Sequence, residues 1–231
     1  MNVTIEHASP EHAAELAELK SKIWPEENTP AAYLAEIIRQ DDHSTQVARS
    51  DGRIVGFVDG FLTLRLDGKR RWELDLIGVD PAYQRQGIAR QLLMANTLAG
   101  QALGAEVARG LVATQNIGSQ RTFAACGYTL NPQVCRLYVC AADISLPFDG
   151  AEGHHLIPVH TFNYRGVWVE GRLSRDNFAL ALKARQRHGL DLVGAVIPID
   201  ETAALTFVQQ VGFDLIGDYQ FWERDLTQIG L

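Results

Sequence analysis

Between residues 72 and 93 the periodicity of the chain changes, and that change constrains the fold more than any other stretch. Trp72, Leu74 and Leu76 alternate with Glu73, Asp75 and Ile77, the two-residue period of a strand with distinct faces. Asp80-Pro81 ends that strand, because proline has no N–H to give a ladder. From Ile88 the apolar positions Ile88, Leu92, Ala95, Ala99 and Leu103 fall on one helical stripe. Between the two lies Gln84-Arg85-Gln86-Gly87-Ile88-Ala89, followed by Arg90. A helix N-terminus carries unpaired N–H groups and about half a positive charge, so a glycine-containing turn leading into it suits a phosphate. The three spaced glycines of a dinucleotide fingerprint and the Gly-Lys-Ser/Thr of a P-loop are both missing.

The spacing Gln84-x-x-Gly87-x-Ala89, preceded by Val79-x-Pro81, resembles the acetyl-CoA pyrophosphate loop of the GNAT superfamily of N-acyltransferases. A second stretch, Asn116 to Tyr128, is similar to the other signature of that family, with Asn116, Ser119, Gly127 and an aromatic Tyr128 at matching positions. The two patterns stand in the right order, separated by one helix and the strand Val107–Thr114. The resemblance covers residues 1–140 and implies an α/β fold with a mixed, mostly antiparallel central sheet flanked by helices. It also implies a set of acetyl-CoA contacts: the backbone amides of Ile77 and Val79, the loop Gln84, Arg85, Gln86, Gly87, Ile88, Ala89 and Arg90, and Asn116, Ser119 and Phe123. One position departs from the pattern. Phe123 stands where many members carry a tyrosine that serves as general acid, and phenylalanine has no proton to give. Tyr128 reads as a core aromatic rather than a displaced acid.

Along the chain, Val3–Glu6 reads as a first strand. Ser9-Pro10 and Thr29-Pro30 each open a helix; Leu16, Leu19 and Ile23 give the first its apolar face, and Tyr33, Leu34, Ile37 and Ile38 the second. Asp51-Gly52 joins strands Thr45–Ser50 and Arg53–Val58, and Asp67-Gly68 joins Phe61–Leu66 and Arg70–Leu76. Arg65, Lys69, Arg70 and Arg71 at the second turn read as solvated turn residues. The formal charge of −7 over 231 residues argues against a nucleic-acid partner. No apolar stretch is long enough to span a bilayer, and the basic and apolar regions of a signal peptide are missing. The three cysteines, Cys126, Cys135 and Cys140, are odd in number and lack metal-ligand spacing, which favours free thiols and a reducing compartment. The expectation is a cytoplasmic protein, monomer or homodimer, with no membrane or nucleic-acid partner. His154, His155 and His160 lack a carboxylate or cysteine at ligand spacing and read as surface or pairing residues; no metal is expected.

Residues 143–153, with Pro147 and Asp149-Gly150, read as a linker after a first domain of residues 1–142. Beyond it the chain echoes itself: a constant offset carries Gly104 onto Gly189, Gly127 onto Gly212 and Tyr128 onto Phe213. Residues 154–231 therefore resemble the second half of a GNAT domain, with strands in 156–171, helix 176–188, strand 192–199, helix 201–211 and strand 219–224. The offset sets Val169 and Arg172 at the positions of Gln84 and Gly87, so this degenerate half-repeat is expected to hold no CoA and to help wall the acceptor cleft of the first domain.

Acetyl transfer from CoA to an amine needs a held thioester, a neutral nucleophile and donors for the charge that develops on oxygen; one such donor is typically worth ~3–4 kcal/mol. An alkylammonium of pKa ~10.4 is about 3.4 units from neutrality at pH 7, so a positioned carboxylate is wanted to take its proton. Glu73 and Asp75 lie on one strand face, expected to point the same way as Ile77. Glu73 lies where histone-type members of the family carry their general base, which puts it ahead of Asp75. Two carboxylates so close should raise one pKa; the bland alternative is that they pair with Arg70 and Arg71. The expected function is transfer of an acetyl group from acetyl-CoA to a primary amine by direct, carboxylate-assisted attack. The alternative is an acyl-CoA-binding sensor or regulatory module with little turnover, which would need the loop but not the carboxylates.

Overall fold

Both hairpin turns are formed. In the computed structural model, which describes residues 3–148, 150 and 153–228, β1 (Val3–His7) pairs antiparallel with β2 (His43–Ser50), β2 with β3 (Arg53–Leu64), and β3 with β4 (Arg70–Val79). The expected strands Arg53–Val58 and Phe61–Leu66 are one strand, β3. The irregularity falls on β4 instead: Val58 faces Ile77 while Gly60 faces Leu74, so β4 carries one extra residue between them. Such a bulge re-aims the side chains on either side of it. Ile77 consequently joins Trp72 and Leu74 in one core cluster, and the expectation that it shares a face with Glu73 and Asp75 is corrected.

Helices cover both faces of this sheet. Val47, Ile54 and Phe57 pack under α1 (Ala13–Ile23) and α2 (Ala31–Ile38), whereas Ala48, Val55 and Val58 pack with α3 (Ile88–Ala102). Strand β5 (Val107–Ala113) runs parallel to β4, but the pairing spans only Arg71–Leu74 against Val107–Gly110. Beyond Leu74 the two strands part, and a cleft opens between them. Helix α4 (Ile117–Ala125) and the short β6 (Thr129–Leu130) follow.

Strand β7 (Cys135–Cys140) does not pair with a strand of the first unit. It pairs with β10 (Leu192–Pro198) on one side and β11 (Asp214–Asp225) on the other, and β11 in turn pairs with β5. With β8 (His154–His160) and β9 (Arg165–Gly171), the result is one sheet of order β1-β2-β3-β4-β5-β11-β7-β10-β9-β8. The last strand of the second unit is thus inserted beside the first, and Tyr138 and Cys140 of β7 are buried in the second unit's core. Helices α5 (Arg175–His188) and α6 (Thr202–Val211) cover that core. Of the expected linker, residues 149, 151 and 152 lie outside the described residues. The three cysteines are free and buried, and no helix among the described residues is long and apolar enough to cross a membrane.

The strand register refines the internal echo. Leu74 pairs with Gly110, and Val169 with Ala195, in equivalent parallel ladders. Val169 therefore corresponds to Leu74, not to Gln84. Only Glu170 to Ser174 separate it from the start of α5, where the first unit has the remainder of β4 and the whole loop to Ile88. The glycine-containing loop between strand and helix is deleted from the second unit rather than substituted.

Candidate active site

The loop before α3 has the backbone its sequence asks for. Gly87 is the N-cap with φ of 80°, a left-handed conformation in which any side chain is strained, and a Cβ built there would meet nothing within 4 Å. Open space beside a helix N-terminus, rather than crowding by the protein, is what this glycine provides. Arg85 is left-handed too, with φ of 61°. Gln84 ties the loop to β4 through Nε2 to the Val79 carbonyl at 3.1 Å. Gln84, Arg85, Gly87, Ile88, Ala89 and Arg90 line a cavity of about 410 Å³ with Ile77, Val79, Asn116, Ser119 and Phe123; Gln86 is exposed and does not line it. Asn116 also caps α4, its Oδ1 accepting from the Ser119 amide at 3.0 Å.

Farther along β4 the cleft between the parting strands has a volume of about 310 Å³, and Ile77, Asn116, Ser119 and Phe123 line it as well. The Asp80 amide donates to Val55 of β3 at 2.9 Å. Amides alternate in direction along a strand, so those of Val79 and Ile77 face away from β3, into the gap that β5 has left. These donors are the feature of the cleft that fits a pantetheine arm and thioester. Phe123 is 4% exposed, and its ring lies so close to Gly110 that a Cβ there would sit 2.4 Å from it. Tyr128 stacks edge-on against Phe123, and its hydroxyl is hydrogen-bonded to Thr97 at 2.6 Å in the core. Hydroxyls lining the cleft come from Ser119 and from Tyr219 of the inserted strand β11. Sequence reading missed Tyr219, because nothing local to residue 219 says that its strand lies beside β5.

The two carboxylates have different surroundings. Glu73 Oε1 accepts from Arg71 Nε at 2.6 Å and from Arg109 Nη2 at 2.7 Å, and its Oε2 from Arg109 Nε at 3.1 Å. Both guanidinium groups reach on to Glu170 of β9, Arg71 at 3.0 Å through each Nη and Arg109 Nη1 at 2.8 Å. Burial alone would raise the Glu73 pKa, but Arg109 and Arg71 outweigh it and hold the carboxyl below its usual range. Glu170 is held low by the same guanidiniums against the same opposition. Arg71, expected as a solvated turn residue, is 4% exposed. Arg109, whose role the sequence gave no sign of, has its guanidinium carbon 4.3 Å from the centroid of the Phe221 ring.

Asp75 has no hydrogen-bond or ion-pair partner among the described residues. More than a third of Asp75 is exposed to the cleft, while protein crowds its other sides: that desolvation first, then the neighbouring Asp59 charge, push its carboxyl up to about 7 against the opposing pull of His43. With Leu74 and Leu111 it lines both the strand cleft and a smaller cavity of about 50 Å³. That cavity is walled by Phe61 and Thr63 of β3 and by Ile157, Val159, Tyr164, Trp168 and Phe221 of the second unit. Tyr164 and Trp168 are joined by the indole N–H donating to the phenolic oxygen at 3.0 Å. The loop between β8 and β9 is anchored on the first unit by Phe162, buried against Phe57 at 5.9 Å between ring centroids. Asp75 thus stands where two spaces meet, one bearing the orphan amides and the other an aromatic wall.

Comparison with known proteins places these features in a family. A model of the acetyltransferase (GNAT) family matches residues 11–128, half of the chain. The N-alpha-acetyltransferase RimI of Mycobacterium tuberculosis is 37% identical over 97 residues, an alignment covering 39% of this chain and 58% of that protein. Among solved structures, a tandem GNAT protein from the clavulanic acid biosynthesis pathway covers 99% of this chain and 100% of its own, at 13% identity and a TM-score of 0.61. A GCN5-related glucosamine N-acetyltransferase region of a fungal multi-domain GH3 beta-N-acetylglucosaminidase covers 96% of this chain and 38% of its own, at 14% identity and a TM-score of 0.64.

Proposed function

The chain belongs to the acetyltransferase (GNAT) family, with a second GNAT-like unit after the first, and from that premise we propose that it transfers an acetyl group from acetyl-CoA to a primary amine by direct attack, with Asp75 as general base. Bound acetyl-CoA supplies an activated thioester. The amides of Ile77 and Val79 would hold its arm and its carbonyl oxygen, and the Gln84–Arg90 loop with the α3 N-terminus would hold its phosphates. Asp75 takes the proton of the incoming ammonium, and Glu73 positions Arg71 and Arg109 rather than accepting a proton. We assign the return of a proton to the thiolate side to Tyr219, since Phe123 has none to give. On this reading residues 1–142 and 154–231 are the two units, and only the first keeps a CoA loop.

The observation that carries the proposal is the place of Asp75 at the junction of the two cavities. It favours an enzyme over a sensor of acyl-CoA, which would need the loop but no unpaired carboxylate beside it. Asp75 is protonated below about pH 7 and cannot then accept a proton. The kcat/KM for an amine should therefore rise with pH through an apparent pKa near 7. Asp75→Asn should lower it by roughly 10²–10⁴ and remove that limb, with CoA binding unchanged. An unaltered pH profile in a folded Asp75→Asn protein would show that another group takes the proton.

A further inference from the structure

Building on the acetyltransferase reading, we infer that the acceptor is a primary amine carrying a single positive charge on an apolar or aromatic body, and that the second unit selects it. The charges around the small cavity leave little choice. Glu73 and Glu170 are both chelated by Arg71 and Arg109, so these four ionised groups cancel. Every guanidinium nitrogen of Arg71 and Arg109 is engaged with a carboxylate. Each guanidinium already faces both glutamates, so neither offers a net positive charge to a carboxylate on the substrate, and neither glutamate a net negative charge to a second ammonium. Asp59, nearby, accepts from Thr45 Oγ1 through Oδ1 at 2.7 Å, lies 3.5 Å from His43 Nδ1 and does not line the cavity. Asp75 remains as the one uncommitted acid lining this cavity among the described residues.

The wall is aromatic where a polyamine or sugar site would be polar. Trp168 corresponds by strand register to Glu73, so the second unit puts an indole where the first puts a carboxylate. Trp168, Tyr164 and Phe61 line the cavity, where aromatic rings favour a cation, and the volume of about 50 Å³ fits an amine-bearing head alone. Phe61 and Ile157 also line an adjoining cavity of about 540 Å³, where Leu62, Leu156 and Pro158 can cover the rest of an apolar acceptor. Asp41 and Asp42 edge that cavity but are exposed, and Arg70 lies in the same lining. Solvated carboxylates add little to the affinity for a distant second ammonium.

The test is a binding competition on the full chain without acetyl-CoA, using 2-phenylethylamine, spermidine and phenylalanine, followed by calorimetry, with a CoA titration of the same preparation. Phenylethylamine should bind at least about tenfold more tightly than either competitor, through one ring-faced cation and one acid. Trp168→Ala should abolish that preference while CoA affinity stays. If CoA binds and spermidine or phenylalanine binds as tightly as phenylethylamine, the substrate assignment is overturned and the acetyltransferase reading stands. If the wild-type chain binds no CoA, that reading falls and takes the assignment with it. The ranking on the wild-type protein decides the matter even where Trp168→Ala does not fold.

Discussion

Glu73 and Asp75 sit two residues apart on β4 and end in opposite electrostatic states. What separates them is the partner each meets: Glu73 faces Arg109 of the parallel strand β5, and Asp75 lies where β5 has departed. A carboxylate chelated by arginine is held as an anion and makes a poor base, whereas one crowded by protein and a neighbouring carboxylate, with no arginine paired to it, has its pKa raised. Tyr219 is decided the same way, by the neighbours of its strand. It shares the cleft between the parting strands with Phe123, and burial pushes its phenol above the usual value, keeping it protonated and able to donate. Tyr219→Phe should lower kcat by about 10², the small end of general acid catalysis because a thiolate leaves readily, with the KM for acetyl-CoA unchanged. An unchanged kcat in steady-state assays would remove Tyr219 from the mechanism.

At the scale of elements, the bulge in β4 and the shortness of the β4–β5 ladder build the site. The bulge turns Ile77 into the core and leaves Asp75 on the cleft, while the early end of the ladder frees two amides. The ion network of Arg71, Glu73, Arg109 and Glu170 then ties β4 and β5 to β9 of the second unit. Removing one member of a buried network leaves its partners undercompensated. Glu73→Gln should cost about 3 kcal/mol in denaturant unfolding at pH 7, the low end for such a loss because Glu170 still holds both arginines. The pKa of Glu73 is lowered on folding, so its contribution is complete above its unfolded value of 4.5 and lost as pH falls below that. The gap between wild type and variant should therefore close in acid. A gap that stayed constant down to pH 3 would mean that Glu73 stabilises by packing alone.

Across the whole molecule, each unit lends the other a strand. β11 fills the place beside β5, and β7 is flanked on both sides by strands of the second unit. A chain ending at Ala142 would leave β5 with an unpaired edge, and β7 without either neighbour; such edges promote association. Expressed alone it should aggregate or fail to fold, and size-exclusion chromatography with circular dichroism would check this. A soluble, folded monomer would refute the interdependence. The second unit lacks the loop between β9 and α5, so titration of the full chain should give one CoA per chain.

Much of this was legible in the sequence, because it rests on local physics. The hairpin turns, the helix starts, the glycine at the head of α3 and the Asn116 cap are set by backbone conformations that particular residues allow or forbid, and each is readable within a few positions. The echo between the two units was readable as well, since helix-ending glycines and the aromatics after them recur. What tertiary structure alone decided depends on neighbours distant in the chain. Arg109 chooses between Glu73 and Asp75, the bulge shifts the facing of Ile77, the ladder register moves Val169 from the loop to the strand, and Tyr219 and Trp168 reach the site because a strand from one unit is inserted beside the other. A carboxylate's charge state and a pocket's walls are sums over such neighbours, and no spacing within one segment contains them.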